Sequence, residues 1–434
     1  MKLCMIGTGY VGLVSGVCFA DLGNNVICVD KDQQKINSLK KGKIPIYEPG
    51  LEELVLKNYK NKRLNFSTDL KDSIKKSDII FICVGTPTKK GGSSADLSQV
   101  YNVARHISKS INKFKIIITK STVPVTTGDK IEKILIKLKR KKLVDIVSNP
   151  EFLREGEAIR DFVYPDRVVI GTNSKKANRI LKNLYLPIIK KSSRYLQTSR
   201  RGAELIKYAS NSFLATKITF MNELARFAED NFCDIDQVKE GMGLDRRIGL
   251  DFLNSGCGYG GSCFPKDIDS LLHQSNDSLD LLRTVQQINY EQKTYLLKRN
   301  ENLFNEAKKV ALWGLSFKAN TDDVRESPVI EMVNWLTGKD LDINLYDPEA
   351  TSNFSKLFSG STNLRFFSTK EECLSDADIL IIGTDWKEFI DFDYKKLKKL
   401  SNKEIPVIDT RNALNPKKFI EDKLNLISLG KKLK

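Results

Sequence analysis

The chain has 434 residues, of which 41% are hydrophobic and 29% charged, so it is long enough for two or three globular domains and too apolar to be disordered as a whole. With 71 Lys and Arg against 54 Asp and Glu, the chain has a net charge of +17. Because the lysines are spread widely along the chain, this charge indicates a basic surface rather than a binding site for nucleic acid or an acidic small molecule. No apolar run reaches the roughly 18 residues of a membrane span. With only two histidines, a histidine-based metal site or a Ser-His-Asp catalytic centre is not expected.

The first residues indicate where the protein works. Met1 leads directly into a strand pattern, Lys2–Ile6, without the apolar core and cleavage site of a signal peptide. The eight cysteines have no regular spacing, which is typical of thiols in a reducing compartment. We therefore expect a cytoplasmic protein with no membrane segment and no metal.

Strand and helix patterns alternate over about residues 1–195. The predicted strands are Lys2–Ile6, Asn25–Val29, Ile79–Val84, Lys115–Thr119, Leu143–Val147 and Arg167–Ile170. Such alternation predicts βαβ units and a parallel, doubly wound sheet.

The strands disappear over about residues 200–300 and then return. Amphipathic patterns predict long helices over Arg201–Asn231 and Leu279–Glu306, with a glycine-rich loop, Gly256–Cys263, between them. Later strands are predicted at Val310–Trp313, Ile343–Tyr346, Ile379–Ile382 and Val407–Ile408. We predict an α/β fold with two Rossmann-like doubly wound domains, 1–198 and 306–434, joined by a central helical domain, 199–305.

A dinucleotide fingerprint follows the first strand. In Gly7-Thr8-Gly9-Tyr10-Val11-Gly12, Gly7 permits the tight turn, Gly9 lets the backbone approach a pyrophosphate, and Gly12 allows close helix–strand packing. Asp30 ends the second strand, where a carboxylate binds a ribose 2′-OH and repels a 2′-phosphate. The motif predicts NAD rather than NADP as cofactor, although Lys35 nearby weakens that preference; the alternative is a purely structural glycine turn.

The carboxyl ends of the predicted strands carry small and polar residues. Ligands of open α/β sheets bind at that edge, so Gly85–Pro87, Ser121–Pro124 and Asn149–Glu151 predict a cofactor cleft with substrate groups at its rim. If a helix begins near Pro150, Glu151 and Glu155 share one face of it. A carboxylate favoured by the helix dipole explains the same pair.

The second predicted sheet ends its strands with similar residues but lacks a glycine fingerprint. The segments are Gly314–Lys318, Asp347-Pro348, Gly383–Asp385 and Asp409–Arg411. Lys318, Arg325 and Arg411 are candidates for phosphate contacts, and equally candidates for ordinary surface residues.

The glycine-rich loop ends in a candidate nucleophile. Pro265 is suited to the first helical position, which puts Cys263 at a helix N-terminus near Lys266, where a thiol loses its proton more easily. Asp267 is placed to handle a proton or a water. Cys257 is the competing thiol but lacks the helix start, and from the residues Cys263 is equally well explained as a buried loop thiol.

The preceding helix carries a further polar set. Lys207 and Asn211 are four residues apart and share a face, with Glu204 one turn earlier. From the pattern, this set is either part of a site or a solvated helix face.

These motifs, together and in this order, resemble the UDP-glucose 6-dehydrogenase family within the nucleotide-sugar 6-dehydrogenases. The matching segments span nearly the whole chain: Gly7–Gly12, Gly85–Pro87, Lys120–Pro124, Asn149–Gly156, Glu204–Phe213, Gly258–Asp267, Phe317–Pro328 and Asp409–Arg411. The run Gly258–Asp267 is the most specific of them. One departure is Phe252, where many bacterial members have Tyr.

The resemblance implies the reaction. Members of the family oxidise the C6 alcohol of a nucleotide sugar to a carboxylate, reducing two NAD per turnover without releasing the aldehyde. By analogy, Cys263 forms a thiohemiacetal and then a thioester, which water hydrolyses. The expected substrate is UDP-glucose, and the product is UDP-glucuronate for polysaccharide biosynthesis.

The resemblance also implies roles for single residues. Lys207 stabilises negative charge and Asp267 acts as base, Thr122 and Glu155 position water and cofactor, and Asn211 binds the sugar beside Cys263. Further NAD contacts are implied for Val11, Asp30, Lys35, Thr86, Lys266 and Arg325. Substrate contacts are implied for Glu151, Phe152, Leu153, Phe252, Leu253, Asn254, Ser255, Gly256, Gly260, Lys318 and Arg411. Arg247 resembles a residue that reaches the substrate of a neighbouring subunit, so at least a homodimer built on the long helix is implied.

Three alternatives remain open. The same chemistry on GDP-mannose or a UDP-N-acetylhexosamine is separated by comparing turnover on each sugar. A two-electron hydroxy-acid dehydrogenase predicts one NADH per substrate and activity that survives Cys263→Ser. A nucleic-acid-binding protein predicts binding that falls steeply with salt, but the aromatic and basic clusters of a recognised module are missing.

Overall fold

The computed structural model describes residues 1–89, 91–137, 143–189, 194–276 and 278–431. The chain divides into two compact units, the first made of Met1–Ser210 with Asp269–Asn276 and the second of Asn211–Ile268 with Asp277–Lys434. Each unit contains one mainly parallel sheet covered on both faces, which confirms the predicted α/β class with two Rossmann-like sheets.

The first unit contains an eight-stranded sheet in the order β3-β2-β1-β4-β5-β6-β7-β8. Its strands are β1 Lys2–Ile6, β2 Asn25–Val29, β3 Leu64–Ser67, β4 Ile79–Ile82, β5 Lys115–Thr119, β6 Val144–Ser148, β7 Arg167–Gly171 and β8 Arg194–Thr198. Its helices are α1 Tyr10–Asp21, α2 Gln33–Lys40, α3 Leu51–Lys60, α4 Leu70–Lys76, α5 Ser98–Ser110, α6 Thr127–Lys137, α7 Ala158–Val163, α8 Lys175–Leu184 and α9 Leu186–Ile189.

Alternation of side chains along β1 explains why this sheet is covered on both faces. Leu3 and Met5 pack into one apolar cluster, whereas Cys4 and Ile6 pack into a second cluster on the opposite face. Both sets are buried because successive side chains of a strand point to opposite faces. Central parallel strands therefore have continuous apolar runs, as in β4 with its sequence Ile-Ile-Phe-Ile.

Strand β7 does not run as the sequence analysis predicted. Neighbouring strands from β3 to β6 pair in parallel, but β7 meets β6 antiparallel through the single pair Ser148–Gly171. Because the two strands run in opposite directions, β7 begins at the edge of the sheet where β6 ends, and the connection through the six-residue helix α7 returns the chain at that same edge. The prediction of a wholly parallel first sheet was wrong at this point.

The second unit has a six-stranded sheet whose pairs are all parallel, in the order β11-β10-β9-β12-β13-β14. Its strands are β9 Lys309–Trp313, β10 Asp342–Tyr346, β11 Leu364–Phe366, β12 Ile379–Ile382, β13 Val407–Asp409 and β14 Leu426–Ser428. Its later helices are α15 Pro328–Thr337, α16 Thr351–Ser355, α17 Lys370–Cys373, α18 Lys387–Ile390, α19 Leu397–Ser401 and α20 Pro416–Glu421.

Between the two sheets the described chain is helical, as predicted. The helices are α10 Arg200–Asp230, α11 Ile235–Gly243, α12 Phe264–Gln274, α13 Asp280–Arg299 and α14 Glu301–Glu306. The long helix α10 begins in the first unit and continues into the second. The single helix expected over 279–306 was wrong, because the chain leaves helical geometry at Asn300 (φ −107°, ψ 30°), whose side chain donates to the Leu296 carbonyl.

Candidate active site

The turn between β1 and α1 in the first unit has the geometry of a phosphate-binding turn. Gly7 has φ +103°, and a Cβ there would lie 2.7 Å from the Cys83 carbonyl oxygen; a Cβ on Gly12 would lie 1.9 Å from the Gly7 oxygen. A Cβ on Gly9 would have no heavy atom within 4 Å. Two glycines thus serve close packing, while Gly9 leaves open space at the N-terminus of α1. These residues fit the pyrophosphate of NAD.

Asp30 is fixed at the end of β2. Its Oδ2 accepts from the Thr8 amide at 3.0 Å and the Thr8 hydroxyl at 2.7 Å, and Lys35 Nζ lies 3.6 Å away. Burial raises the pKa of Asp30, but the bonds from Thr8 and the charge of Lys35 outweigh it and hold the pKa below its ordinary value. Lys35 therefore contacts Asp30 directly. Val11 is half-buried in the first turn of α1.

The carboxylate of Glu48 is a feature that the sequence analysis missed. It is buried and accepts from the Tyr10 hydroxyl and from the backbone amides of Gly156, at 2.8 Å, and Ile159, at 3.2 Å. The Gly156 amide also donates to the Tyr10 oxygen at 2.6 Å. The network joins the dinucleotide turn to the loop that carries Glu155. Its signal in the sequence was an acidic residue in an apolar, proline- and glycine-containing loop.

Glu151 and Lys207 form a buried ion pair. Glu151 Oε1 lies 3.0 Å from Lys207 Nζ, with the two side chains 6% and 4% exposed, and Glu151 Oε2 accepts from the Leu153 amide at 2.6 Å. Lys207 Nζ also lies 5.4 Å from the ring centre of Phe152. Burial raises the pKa of Glu151, but Lys207, the Leu153 amide and Lys120 outweigh it and lower that pKa. Lys207 is therefore not part of a solvated helix face.

The segment around Glu151 is not the start of a helix. Residues 151–154 have no regular secondary structure, and 155–157 form a turn and bend before α7 begins at Ala158. The Glu151 carboxylate closes a local turn onto Leu153, and Gly156 has φ +81°, so helical geometry cannot begin earlier. The condition under which Glu151 and Glu155 would share a helix face, a helix that begins near Pro150, is therefore not met.

Other strand ends of the first unit are tied together by polar contacts. The Thr86 hydroxyl donates to the Thr122 carbonyl at 2.9 Å. Glu204 accepts from the amides of Thr126 and Gly128, both at 2.8 Å, and from the Ser148 hydroxyl at 3.1 Å. Burial raises the pKa of Glu204 above its ordinary value. The bonds of Glu204 attach the start of α10 to the loop after β5, to the first turn of α6 and to the end of β6.

Lys120 is a buried cation at the end of β5. Its Nζ lies 3.5 Å from Asn149 Oδ1, which also accepts from the Tyr185 hydroxyl at 2.5 Å. Burial lowers the pKa of Lys120. Lys120 belongs to the matching segment Lys120–Pro124, but the resemblance implies no role for it.

In the second unit, Cys263 directly precedes α12, and its carbonyl accepts from the Asp267 amide at 2.9 Å. Asp267, which is 1% exposed, accepts from Asn211 Nδ2 at 2.7 Å and pairs with Lys266 Nζ at 2.5 Å. The Ser262 hydroxyl lies 3.7 Å from Cys263 Sγ. The helix therefore holds a half-buried thiol one turn from a buried carboxylate, although it begins at Phe264, one residue before the expected Pro265.

The cysteine loop packs closely against other parts of the second unit. A Cβ on Gly260 would lie 2.2 Å from the Glu326 carbonyl oxygen, and one on Gly256 would lie 3.0 Å from the Thr410 oxygen. Gly261, with φ +83°, donates to the Arg325 carbonyl at 3.0 Å. A side chain at Gly260 would clash with the backbone and one at Gly261 would be strained by its left-handed φ, whereas one at Gly256 would require the Thr410 backbone to shift slightly.

Residues at and just before the start of the glycine-rich loop contact the residues that follow β13. Arg411 Nη1 lies 3.5 Å from Cys257 Sγ and Nη2 lies 3.5 Å from Asp385 Oδ1, so Cys257 is a buried neighbour of a cation. Ser255 accepts from Asn412 Nδ2 at 2.8 Å. Leu253 is buried, whereas Asn254 is exposed and accepts from Lys239 at 3.3 Å.

Two predicted arginines lie on the surface. Arg247 pairs with Asp245 at 2.6 Å and its side chain is largely exposed; Arg325 pairs with Asp323, also at 2.6 Å. Lys318 Nζ lies 5.7 Å from the ring centre of Phe317. Phe252 adopts φ +62°, and its ring centre lies 6.1 Å from that of Phe264.

The described ranges lack both a metal-binding cluster and a helix that could cross a membrane. They contain no cluster of three or more His, Cys, Asp or Glu side chains able to hold a metal ion. None of their helices combines the length and the apolar character that crossing a membrane requires. All eight cysteines lie in these ranges, and none forms a disulfide.

Comparison with known proteins gives matches along the whole chain. Three models of the UDP-glucose/GDP-mannose dehydrogenase family match in succession: the NAD binding domain over residues 1–189, the central domain over 201–291 and the UDP binding domain over 311–416. A UDP-glucose 6-dehydrogenase of Rhizobium meliloti is 44% identical over 99% of this chain and 100% of that protein. One of Pseudomonas aeruginosa is 40% identical over 97% of this chain and 95% of that protein.

A solved structure gives the same result for the fold. The UDP-glucose dehydrogenase of the archaeon Pyrobaculum islandicum superposes with a TM-score of 0.88 at 33% identity. The match covers 95% of this chain and 94% of that one.

Proposed function

The chain belongs to the UDP-glucose/GDP-mannose dehydrogenase family, and we propose that it oxidises C6 of UDP-glucose to the carboxylate of UDP-glucuronate with NAD as electron acceptor. Relatives named UDP-glucose 6-dehydrogenase are 40–44% identical over nearly the full length. The observation in the molecule that carries the proposal is Cys263 at the start of α12, one turn from the buried Asp267.

NAD, when bound, supplies the hydride acceptor. The protein supplies the base and the nucleophile, and solvent supplies the water. The first oxidation removes a hydride from C6 and the hydroxyl proton, leaving an aldehyde. Cys263 Sγ bonds to the aldehyde carbon, removal of the second hydride leaves a thioester, and water cleaves the C–S bond and returns the thiol. One UDP-glucose, one water and two NAD thus give one UDP-glucuronate, two NADH and three protons.

The environment of Cys263 suits a thiolate nucleophile. The thiol precedes the N-terminus of an eleven-residue helix, and Lys266 lies in the first turn of that helix. Both a helix N-terminus and a nearby cation favour the thiolate over the thiol. Cys257, in contrast, is buried against Arg411, and we assign it no chemical step.

We assign proton handling to Asp267 and charge stabilisation to Lys207. Asp267 is held by Asn211 and Lys266, so its carboxylate has a fixed orientation for accepting the C6 hydroxyl proton or a proton from water. Lys207, held by Glu151, stabilises negative charge that develops on the C6 oxygen. Asn211 orients the sugar.

The remaining assignments follow the resemblance. Thr122 and Glu155 position water and cofactor in the first unit, with Asp30 on the adenosine ribose. Cofactor contacts are assigned to Gly7, Gly9, Val11, Gly12, Lys35, Thr86, Lys266 and Arg325. Substrate contacts are assigned to Phe152, Leu153, Phe252, Leu253, Asn254, Ser255, Gly256, Gly260, Lys318 and Arg411.

The substrate assignment is tested by comparing sugars. The purified protein is given NAD with UDP-glucose, GDP-mannose or UDP-N-acetylmannosamine, and NADH formation is followed at 340 nm. We expect kcat/KM for UDP-glucose to exceed the others by at least about 100-fold, because a site built to bind one set of hydroxyls rejects sugars that leave its groups unpaired. A higher kcat/KM on either other sugar would overturn the substrate assignment and leave the family chemistry standing.

The assembly that we propose is a homodimer formed through α10. Phe213, Phe220 and Phe227 repeat every seven residues on this helix and are 66%, 47% and 64% exposed. Three aromatic side chains in one stripe are costly in water and typical of a helix face that packs on another helix. Arg247 is then available to the substrate of the partner subunit.

We retain the division into an NAD-binding domain (1–198), a central dimerisation domain (199–305) and a UDP-sugar-binding domain (306–434) as a proposal supported by the three family matches. The lack of disulfides among all eight cysteines supports a reducing, cytoplasmic location.

A further inference from the structure

Glu48 lies between two functional segments of the first unit. It follows α2 in the loop before α3, and its buried carboxylate accepts three hydrogen bonds. A carboxylate removed from water is stable only when donors replace its hydration. Here all three donors belong to the dinucleotide turn or to the segment after Glu155.

The contact with Tyr10 reaches the dinucleotide turn. Tyr10 is the first residue of α1 and directly follows Gly9. Burial, followed by the bond to Glu48, raises the pKa of Tyr10, and its hydroxyl donates to Glu48. One end of the network is therefore fixed beside the glycine that leaves space for the pyrophosphate.

The contact with Gly156 reaches Glu155. The Gly156 amide donates to both Glu48 and the Tyr10 oxygen, and Gly156 has φ +81°. This amide belongs to the peptide unit whose carbonyl is that of Glu155. Glu155 lies close enough to Tyr10 for its charge to contribute to the raised pKa of Tyr10. The peptide beyond Glu155 thus has a fixed position relative to α1.

We propose that Glu48 is a positioning residue for the oxidation: with Tyr10 it holds the Glu155 backbone against the dinucleotide turn. The inference rests on the proposed role of Glu155 in placing water and cofactor. Glu48 itself touches neither substrate nor cofactor. It acts by fixing the distance between Glu155 and the N-terminus of α1.

A glutamine at position 48 breaks the network without changing its size. Its single carbonyl oxygen serves either Tyr10 and Gly156 or Ile159. The NH₂ group then faces an N–H or O–H donor, so at least one bond is lost. Asp378→Asn is a matched control, because the Asp378 carboxylate also accepts from two backbone amides, those of Lys308 and Lys309, both at 2.8 Å. Asp378 directly precedes β12, so it lies at the amino end of that strand, whereas the residues of the proposed site follow the carboxyl ends of the strands.

The test compares Glu48→Gln with Asp378→Asn in NADH formation, NADH binding and amide hydrogen exchange. We expect Glu48→Gln to lower kcat about 10- to 100-fold, to leave KM for UDP-glucose within about twofold, and to weaken NADH binding measured by fluorescence. Exchange over residues 154–159 should quicken. Asp378→Asn should leave kcat and NADH binding unchanged.

The decisive readout is additivity. In a Glu155→Gln background, Glu48→Gln should change kcat by less than about twofold, because a residue that acts through Glu155 has nothing left to position. An equal loss of kcat in both backgrounds, or a Glu48→Gln enzyme with normal kcat and exchange, would overturn the inference. Failure of the wild type to oxidise any nucleotide sugar would instead refute the proposed function.

Tyr10→Phe keeps the test possible if Glu48→Gln does not fold. It removes one hydroxyl, and we expect the same pattern with a smaller fall in kcat, about 5- to 10-fold. Normal kcat with unchanged exchange over 154–159 would again contradict the positioning role.

Discussion

The buried pair of Glu151 and Lys207 allows stability and catalysis to be separated. In Glu151→Gln the Lys207 ammonium loses the anion 3.0 Å away while it stays 4% exposed, and Lys120 adds a second buried cation nearby. Removing one member of a buried ion pair costs about 3–5 kcal/mol. At about 2–4 °C per kcal/mol for a unit of this size, Tm should fall by about 6–20 °C.

The matched double variant is the informative one. Glu151→Gln with Lys207→Met removes both charges at nearly constant volume, and the glutamine oxygen still accepts from the Leu153 amide. We expect calorimetry to show the double variant more stable than either single variant, because replacing both members of a buried pair is close to neutral. NADH formation should stay below about 1% of wild type, because Lys207 no longer stabilises charge on the C6 oxygen. Additive destabilisation, or a double variant with wild-type turnover, would refute this reasoning.

The pH dependence of this stability has a defined sign. The pKa of Glu151 in the folded protein lies below the ordinary value of 4.5, so the unfolded chain takes up protons first as the pH falls. The pair therefore contributes fully above pH 4.5 and loses its contribution as the pH drops through the folded pKa. The stability difference between wild type and Glu151→Gln should be constant in neutral buffer and shrink below pH 4.5; a difference that grows on acidification would contradict the direction of the shift.

Four further outcomes follow from the site and the proposed assembly. Cys263→Ser should lower NADH formation by roughly 10³-fold or more and show no substrate adduct by mass spectrometry; normal turnover would favour a two-electron dehydrogenase. Asp267→Asn should lower kcat by about 10²–10⁴, and a kcat close to that of the wild type would exclude Asp267 as the base. Asp30→Asn should weaken NAD binding by about 10- to 100-fold and reduce the preference for NAD over NADP. That preference is measured as the ratio of kcat/KM with NAD to kcat/KM with NADP. Phe220→Asp should be monomeric by light scattering at a concentration where the control variant Leu357→Asp, at a residue of similar exposure, remains dimeric. If both variants are monomeric, or both are dimeric, an interface through α10 is contradicted.

The sequence predicted the central strands well and missed the strands at the sheet edges. The four unpredicted strands, β3, β8, β11 and β14, are the two outer strands of each sheet. Central strands are buried on both faces and have long apolar runs. An edge strand has less to bury, as in β8, where Arg-Tyr-Leu-Gln-Thr is mostly exposed, and β11 and β14 have only three residues each. Periodicity gives little signal in such segments.

The candidate site was predictable where one local motif sufficed. The three glycines of the first turn and the helix start after Cys263 depend on neighbouring residues; the glycine turn has the expected geometry, and the helix begins one residue before the expected Pro265. The ion pair of Glu151 with Lys207 joins positions 56 residues apart. The helical repeat around Lys207 contains no information about such a distant partner, so the pattern was also consistent with a solvated helix face. Glu48 was missed for the same reason, because its partners lie 38 and 108 residues away.

The most direct test of the central claim is the number of NADH formed per UDP-glucose. Limiting UDP-glucose is mixed with the purified protein and excess NAD, absorbance at 340 nm is read at completion, and a carbonyl reagent detects any aldehyde. Oxidation held covalently on Cys263 predicts two NADH per sugar, UDP-glucuronate as the product and no aldehyde in solution. One NADH per sugar, with the aldehyde released, would contradict the account.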